Sequence, residues 1–135
     1  MNTELPEPDD ILDKLARVTV DAAVEVHRRL GPGFLEAVYE EALATELGMR
    51  GIPFARQVLV ELDYKGVPVG QARIDVIVGG RLIVELKSTE ALLAIHRAQL
   101  IAYLRATRQT LGLLINFNVP VIRQGIRRII LSPNP

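Results

Sequence analysis

Apolar residues recur at helical spacing through the first part of the chain. Ile11, Leu15, Val18, Ala22, Val26 and Leu30 fall three or four positions apart, which predicts a helix started by Asp9 or Asp10 and ended by Gly31-Pro32-Gly33. A second helix is expected over residues 34–49, with Phe34, Val38, Ala42 and Leu47 as its buried stripe and Gly51 and Pro53 as its stop. The period then changes to two. Residues 55–64, "ARQVLVELDY", alternate as a strand does, "KGVPVG" supplies turn chemistry, and the next strand is expected to begin near Val69. "IDVIVGGRLIVELKS", residues 74–88, reads as two apolar strands around a Gly-Gly turn. "STEALLAIHRAQLIAYLRAT" returns to helical spacing, with a start at Ser88 to Ala91 and a lining of Leu92, Leu93, Ile95, Leu100 and Leu104. The all-apolar run at 111–117 reads as a buried strand and "IRRIIL", 126–131, as one nearer an edge. The order is ααβββαββ, an α/β (α+β sandwich) fold with a central mixed sheet flanked by helices.

The hairpin at 74–88 poses a chemical question, because it carries Asp75, Glu85 and Lys87 among apolar neighbours. Facing residues of an antiparallel pair share a side of the sheet. A two-residue turn would pair Val76 with Ile83 and set the apolar faces Ile74, Val76, Val78 and Leu82, Val84, Leu86 on opposite sides. Pairing Val78 with Leu82 and Val76 with Val84, across a three-residue turn or a bulge, aligns them and brings Asp75 opposite Glu85. Like charges so placed repel, and either Lys87 with a divalent cation offsets them or Asp75, Glu85, Lys87 and Arg73 form a solvated ion-pair cluster.

Composition narrows the setting. The chain has 135 residues, 49% hydrophobic and 24% charged, which suits one domain over 11–135 behind a flexible acidic N-terminus, 1–10. Absence of cysteine excludes disulfides and thiolate zinc sites and fits a cytoplasmic protein. No apolar run is long enough to span a bilayer, so no membrane partner is expected. Sixteen basic residues balance sixteen acidic ones, so nucleic-acid binding has to be local, with Arg105, Arg108, Arg123, Arg127 and Arg128 as a candidate basic rim. Three Phe, three Tyr and no Trp make a single-strand stacking platform a poor fit, and duplex or structured nucleic acid a better one.

Two further clusters bear on the acids. Glu36 opens the second helix with Tyr39 three positions on; His96, Gln99 and Tyr103 form a polar stripe on the third, whose start lies close to Lys87. Asp75 followed after nine residues by "ELK" resembles the bipartite signature of the PD-(D/E)XK nuclease superfamily, and Gln99 to Tyr103, "QLIAY", resembles the QxxxY element of its RecB-like branch. "VHRRLGPGFLEAVYEEAL", "ELKS", "HRAQLIAYLRAT" and "GLLINFNVP" are together similar to the small bacterial GxxExxY proteins, whose name describes Gly33, Glu36 and Tyr39; the likeness covers about residues 20–131. Ile74 stands where the superfamily signature has proline.

The resemblance implies a nuclease hydrolysing phosphodiester bonds, of DNA rather than RNA, with Mg²⁺ or Mn²⁺ as cofactor. It makes Glu36, Asp75, Glu85 and Lys87 catalytic and gives the metal to Glu36, Asp75, Glu85 and the Leu86 carbonyl. Gln99, Tyr103, His96, Tyr39 and Arg73 position substrate, and His27 packs or caps. A non-catalytic module keeping the fold, and an oligomeric interaction protein, are the alternatives. A homodimer is expected, joined through residues 111–122 or the last strand.

Overall fold

The computed structural model describes residues 9–132. The first helix, α1, spans Asp10–Leu30, and the Asp9 side chain caps it by accepting the Leu12 N–H at 2.9 Å. It ends at Gly31, φ 69°, in the backbone region glycine favours. α2 follows at Glu36–Met49. The strands are β1 (Phe54–Tyr64), β2 (Val67–Val78), β3 (Leu82–Lys87), β4 (Leu111–Asn116) and β5 (Ile126–Ile130); α3 (Ala94–Thr107) joins β3 to β4. The sheet runs β1-β2-β3-β4-β5, with β3 and β4 parallel and every other pair antiparallel. This is the expected order and the expected mixed sheet. Among the described residues no helix is long and apolar enough to cross a membrane.

The sheet is covered on both sides. One core lies between it and the α1–α2 layer and includes Tyr39, Leu43, Leu47, Val76, Val84 and Ile115; the other lies under α3 and includes Ile74, Ile83, Leu100, Leu104, Leu114 and Ile129. Double coverage is why β4 is buried at every position and β3 at all but Lys87. Residues 111–117 of the expected dimer contact at 111–122 are therefore buried inside the domain, whereas 118–121 are partly or fully exposed.

Several boundaries and faces differ from the sequence reading. α1 buries Leu12, Ala16, Thr19, Ala22, Ala23 and Val26; Ala22 and Val26 belong to the expected stripe, but at its start the buried face is turned by about one position and leaves Ile11 69% exposed. α2 buries Tyr39, Glu40, Leu43, Ala44 and Leu47, while Phe34 and Val38 are exposed. The hairpin turn is Lys65-Gly66 alone, and the strand resumes at Val67. α3 begins at Ala94, not near Ser88, and Leu93 and Ile95 stay exposed. The Asn116 side chain takes both backbone groups of Thr89, accepting its N–H at 3.1 Å and donating to its carbonyl at 2.9 Å, so that segment cannot spend them in a helix. Of the expected flexible terminus at 1–10, residues 1–8 lie outside those described, and Asp10 already belongs to α1.

Candidate active site

β2 and β3 meet in the register that the hydrophobic pattern demanded, Val78 opposite Leu82 and Val76 opposite Val84, around a turn at Gly79-Gly80-Arg81. The ladder stops there. The next amides are taken by side chains: the Asp75 N–H donates to Glu85 Oε1 at 3.1 Å, and the Leu86 N–H donates to Asp75 Oδ2 at 2.8 Å. The two carboxyl groups also lie within hydrogen-bond reach of each other. Asp75 and Glu85 thus fill the gap where two strands part.

A break in β1 and β2 accompanies that gap. Arg56 pairs with Val76 and Val58 with Ile74 in one unshifted register, but the intervening Gln57 and Asp75, though opposite each other, are not paired. Ile74 packs under α3 although Val76 packs on the α1–α2 side, and in β1 Val60 and Phe54 divide the same way. Residues an even number apart should share a face, so both strands change face between them. Ile74, expected beside Val76 and Val78, lies on the opposite side for this reason. Gln57 occupies the break with φ 50°. Its Nε2 donates to Glu40 Oε1 at 2.6 Å, and Arg56 donates to Glu40 Oε2 from Nε at 3.1 Å and Nη2 at 2.9 Å.

Lys87, half-buried at the end of β3, donates from Nζ to Gln99 Oε1 at 3.0 Å. Tyr103 lies near Gln99 one turn on, and both residues sit on α3 on the side of the acids. Glu36, in the first turn of α2, feels the charges of Lys87, Asp75 and Glu40, yet among the described residues nothing donates a hydrogen bond to its carboxylate. The Ser88 hydroxyl donates to the Phe34 carbonyl, joining the loop before Glu36 to the segment after Lys87.

Three expected positioning residues lie elsewhere. Tyr39 is wholly buried, stacked on Phe117 with ring centroids 4.5 Å apart; its hydroxyl donates to the Gly31 carbonyl at 2.6 Å and accepts the Phe34 N–H at 3.1 Å. It fastens the loop that presents Glu36 and has no surface to offer a substrate. His96 caps α3, its Nδ1 accepting the Leu93 N–H at 3.0 Å. Arg73 is exposed opposite Leu59 and makes no ion pair with the acids among the described residues. His27 packs, as expected, with Nε2 2.8 Å from the Val119 carbonyl. The basic rim is divided: Arg123 and Arg128 line a cleft of about 590 Å³ beside α1, Arg105 and Arg108 line another of about 580 Å³, and Arg127 lies beside Arg97 in a third.

Burial, then the Asp75 charge, pushes the Glu85 carboxyl up to about 8. Burial likewise raises Asp75 and Tyr103, and partial desolvation with the neighbouring acids raises Glu36, although that residue is exposed at the surface. None of the ion pairs among the described residues includes Asp75 or Glu85. The pair is short of positive charge and offers hard oxygen donors, which fits a divalent cation. Among the described residues no three His, Cys, Asp or Glu side chains are gathered closely enough to hold a metal ion. The expected triad is therefore a close pair with Glu36 standing back from it.

Glu40, Arg56, Gln57 and Asn116 escaped the sequence reading. Glu40 follows Glu36 by one helical turn, and Asn116 is a lone polar residue in an apolar run, so both left a signal; Arg56 and Gln57 left none. The family model for the PD-(D/E)XK nuclease superfamily matches residues 13–129. No curated protein matches the chain.

Proposed function

The chain belongs to the PD-(D/E)XK nuclease superfamily, and from that premise we propose that it is a divalent-metal-dependent nuclease acting on duplex or structured DNA, of the GxxExxY kind within the RecB-like branch. The observation that carries this reading is the facing pair Asp75 and Glu85 at the end of a ladder, with Lys87 two residues on.

Asp75, Glu85 and the Leu86 carbonyl would hold Mg²⁺ or Mn²⁺, with Glu36 reaching it directly or through water. A residue's N–H and C=O point to the same neighbouring strand, so the Leu86 carbonyl shares the gap with its N–H. The cation when bound supplies Lewis-acid polarisation of a phosphoryl oxygen and acidifies a water. Lys87, steadied by Gln99, places an ammonium beside the acids, where it offsets negative charge growing on the phosphoryl group and orients the attacking water. Tyr103, near Gln99 on the same face of α3, offers a hydroxyl to the substrate backbone.

The test is cleavage of duplex, single-stranded and branched DNA and of RNA with Mg²⁺, Mn²⁺ or chelator, comparing wild type with Lys87→Ala. Divalent-dependent cleavage of duplex or branched DNA is expected, falling by about 10²–10³ in the variant. Cleavage by wild type equal to the variant background on every substrate would overturn the reading.

A further inference from the structure

We propose that Glu40 and Gln57 are positioning residues, a clamp that holds the paired break in β1 and β2 and so turns the Asp75 carboxylate into the gap beside β3. The inference rests on the assignment of Asp75 to a nuclease centre.

Three non-glycine residues among those described have positive φ: Gln57, Lys65 and Arg108. Lys65 lies in a hairpin turn and Arg108 ends α3, where such geometry is ordinary. Gln57 lies inside a strand, with no turn to require it. A conformation this unfavourable persists only where its surroundings over-determine it, and such places cluster at functional sites. Here the surroundings are Glu40. It is nearly buried, and both carboxylate oxygens are spent on successive residues of β1, Oε1 on Gln57 at 2.6 Å and Oε2 on Arg56. A carboxylate serving only as an ion-pair partner needs Arg56 alone.

The consequence appears across the ladder. With Gln57 and Asp75 opposite each other but unpaired, the Asp75 side chain accepts the Leu86 N–H, while its own N–H turns to Glu85. A regular β1 at Gln57 would pair with a regular β2 at Asp75 and return that carboxylate to the pleat.

Glycine adopts positive φ without strain and a β-branched residue resists it. The test therefore compares Gln57→Gly, Gln57→Val and Glu40→Gln, all in the full chain. The readouts are the Leu86 amide resonance and its hydrogen exchange in metal-free protein, and Mn²⁺ affinity by calorimetry. Gln57→Gly, which tolerates the positive φ but loses the bond to Glu40, is expected to shift the Leu86 resonance and weaken the affinity less than Gln57→Val. Gln57→Val and the isosteric Glu40→Gln are expected to shift that resonance, speed its exchange and weaken Mn²⁺ binding about 10- to 100-fold, the range for residues that orient metal ligands. Glu40→Gln carries the test if Gln57→Val fails to fold. An unchanged Leu86 amide in Glu40→Gln, and in Gln57→Val where it folds, would overturn the clamp. A wild type that binds no Mn²⁺ and cleaves nothing would sink the nuclease reading instead, and the Leu86 amide would still decide the clamp.

Discussion

Tyr39 and Glu85 illustrate at the residue scale how burial assigns opposite tasks to polar side chains. Tyr39 satisfies two backbone groups of the loop before α2, so Tyr39→Phe keeps the ring stack on Phe117 but strands the Gly31 carbonyl and the Phe34 N–H. A loss of about 1–3 kcal/mol is expected in urea unfolding, with weaker cleavage because the loop presenting Glu36 is loosened. Glu85 is the reverse case, since its ionisation is opposed by burial and by Asp75. Glu85→Gln should raise the stability of the metal-free protein at pH 8 by on the order of 1 kcal/mol or more, while abolishing Mn²⁺ binding in calorimetry. A variant less stable than wild type under those conditions would contradict the cause given for the shift.

Elements are joined here at a few backbone contacts, and two substitutions separate strong joints from yielding ones. A Cβ at Gly125 would lie 2.1 Å from the Asn116 carbonyl oxygen, whereas one at Gly112 would meet Leu100 Cδ1 at 2.8 Å. Backbone cannot retreat as a leucine tip can. Gly125→Ala is therefore expected to cost several kcal/mol, at or above ~4 kcal/mol, and Gly112→Ala clearly less, as measured by denaturant midpoints. The neighbouring Asn116 ties Thr89 to the end of β4, so Asn116→Leu should free the 88–93 segment and raise amide exchange there. Element types were legible from period alone, and β4, apolar but for Asn116, announced its double coverage. Helix faces were not: in α1 the series Ile11, Leu15, Val18 and the series Leu12, Ala16, Thr19 have the same spacing, and only packing in three dimensions buries the second.

Across the whole molecule, the acids of the site act on stability through pH. Glu85 is raised from an ordinary value of 4.5 to about 8, so between these values the folded state holds a proton that the unfolded state has lost. Stability must then fall as pH rises through that window, and Asp75, also raised, adds in the same sense. Glu36 and Glu40 on α2 strengthen this, and Lys87 opposes it. Asp9, Glu25 and Glu41, lowered by hydrogen bonds from Arg81, Arg28 and Arg56, act oppositely and only toward acid pH. The metal-free melting temperature is expected to drop by roughly 5–10 °C from pH 5.5 to pH 8, and millimolar Mn²⁺ should reverse the trend by displacing the proton. Calorimetric scans at both pH values, with and without the ion, check this.

Hydrophobic spacing by itself determined the order of elements, and the demand that apolar faces align set the hairpin register that put Asp75 opposite Glu85. Both follow from local rules, because side-chain direction repeats every two residues in a strand and about every 3.6 in a helix. Only the tertiary structure decided that Gln57 and Asp75 leave the ladder together, that Glu40 reaches across from α2 to hold the break, and that Tyr39 and His96 serve the scaffold. Those outcomes depend on which elements face each other in space, and the spacing of residues along one element carries no record of its neighbour.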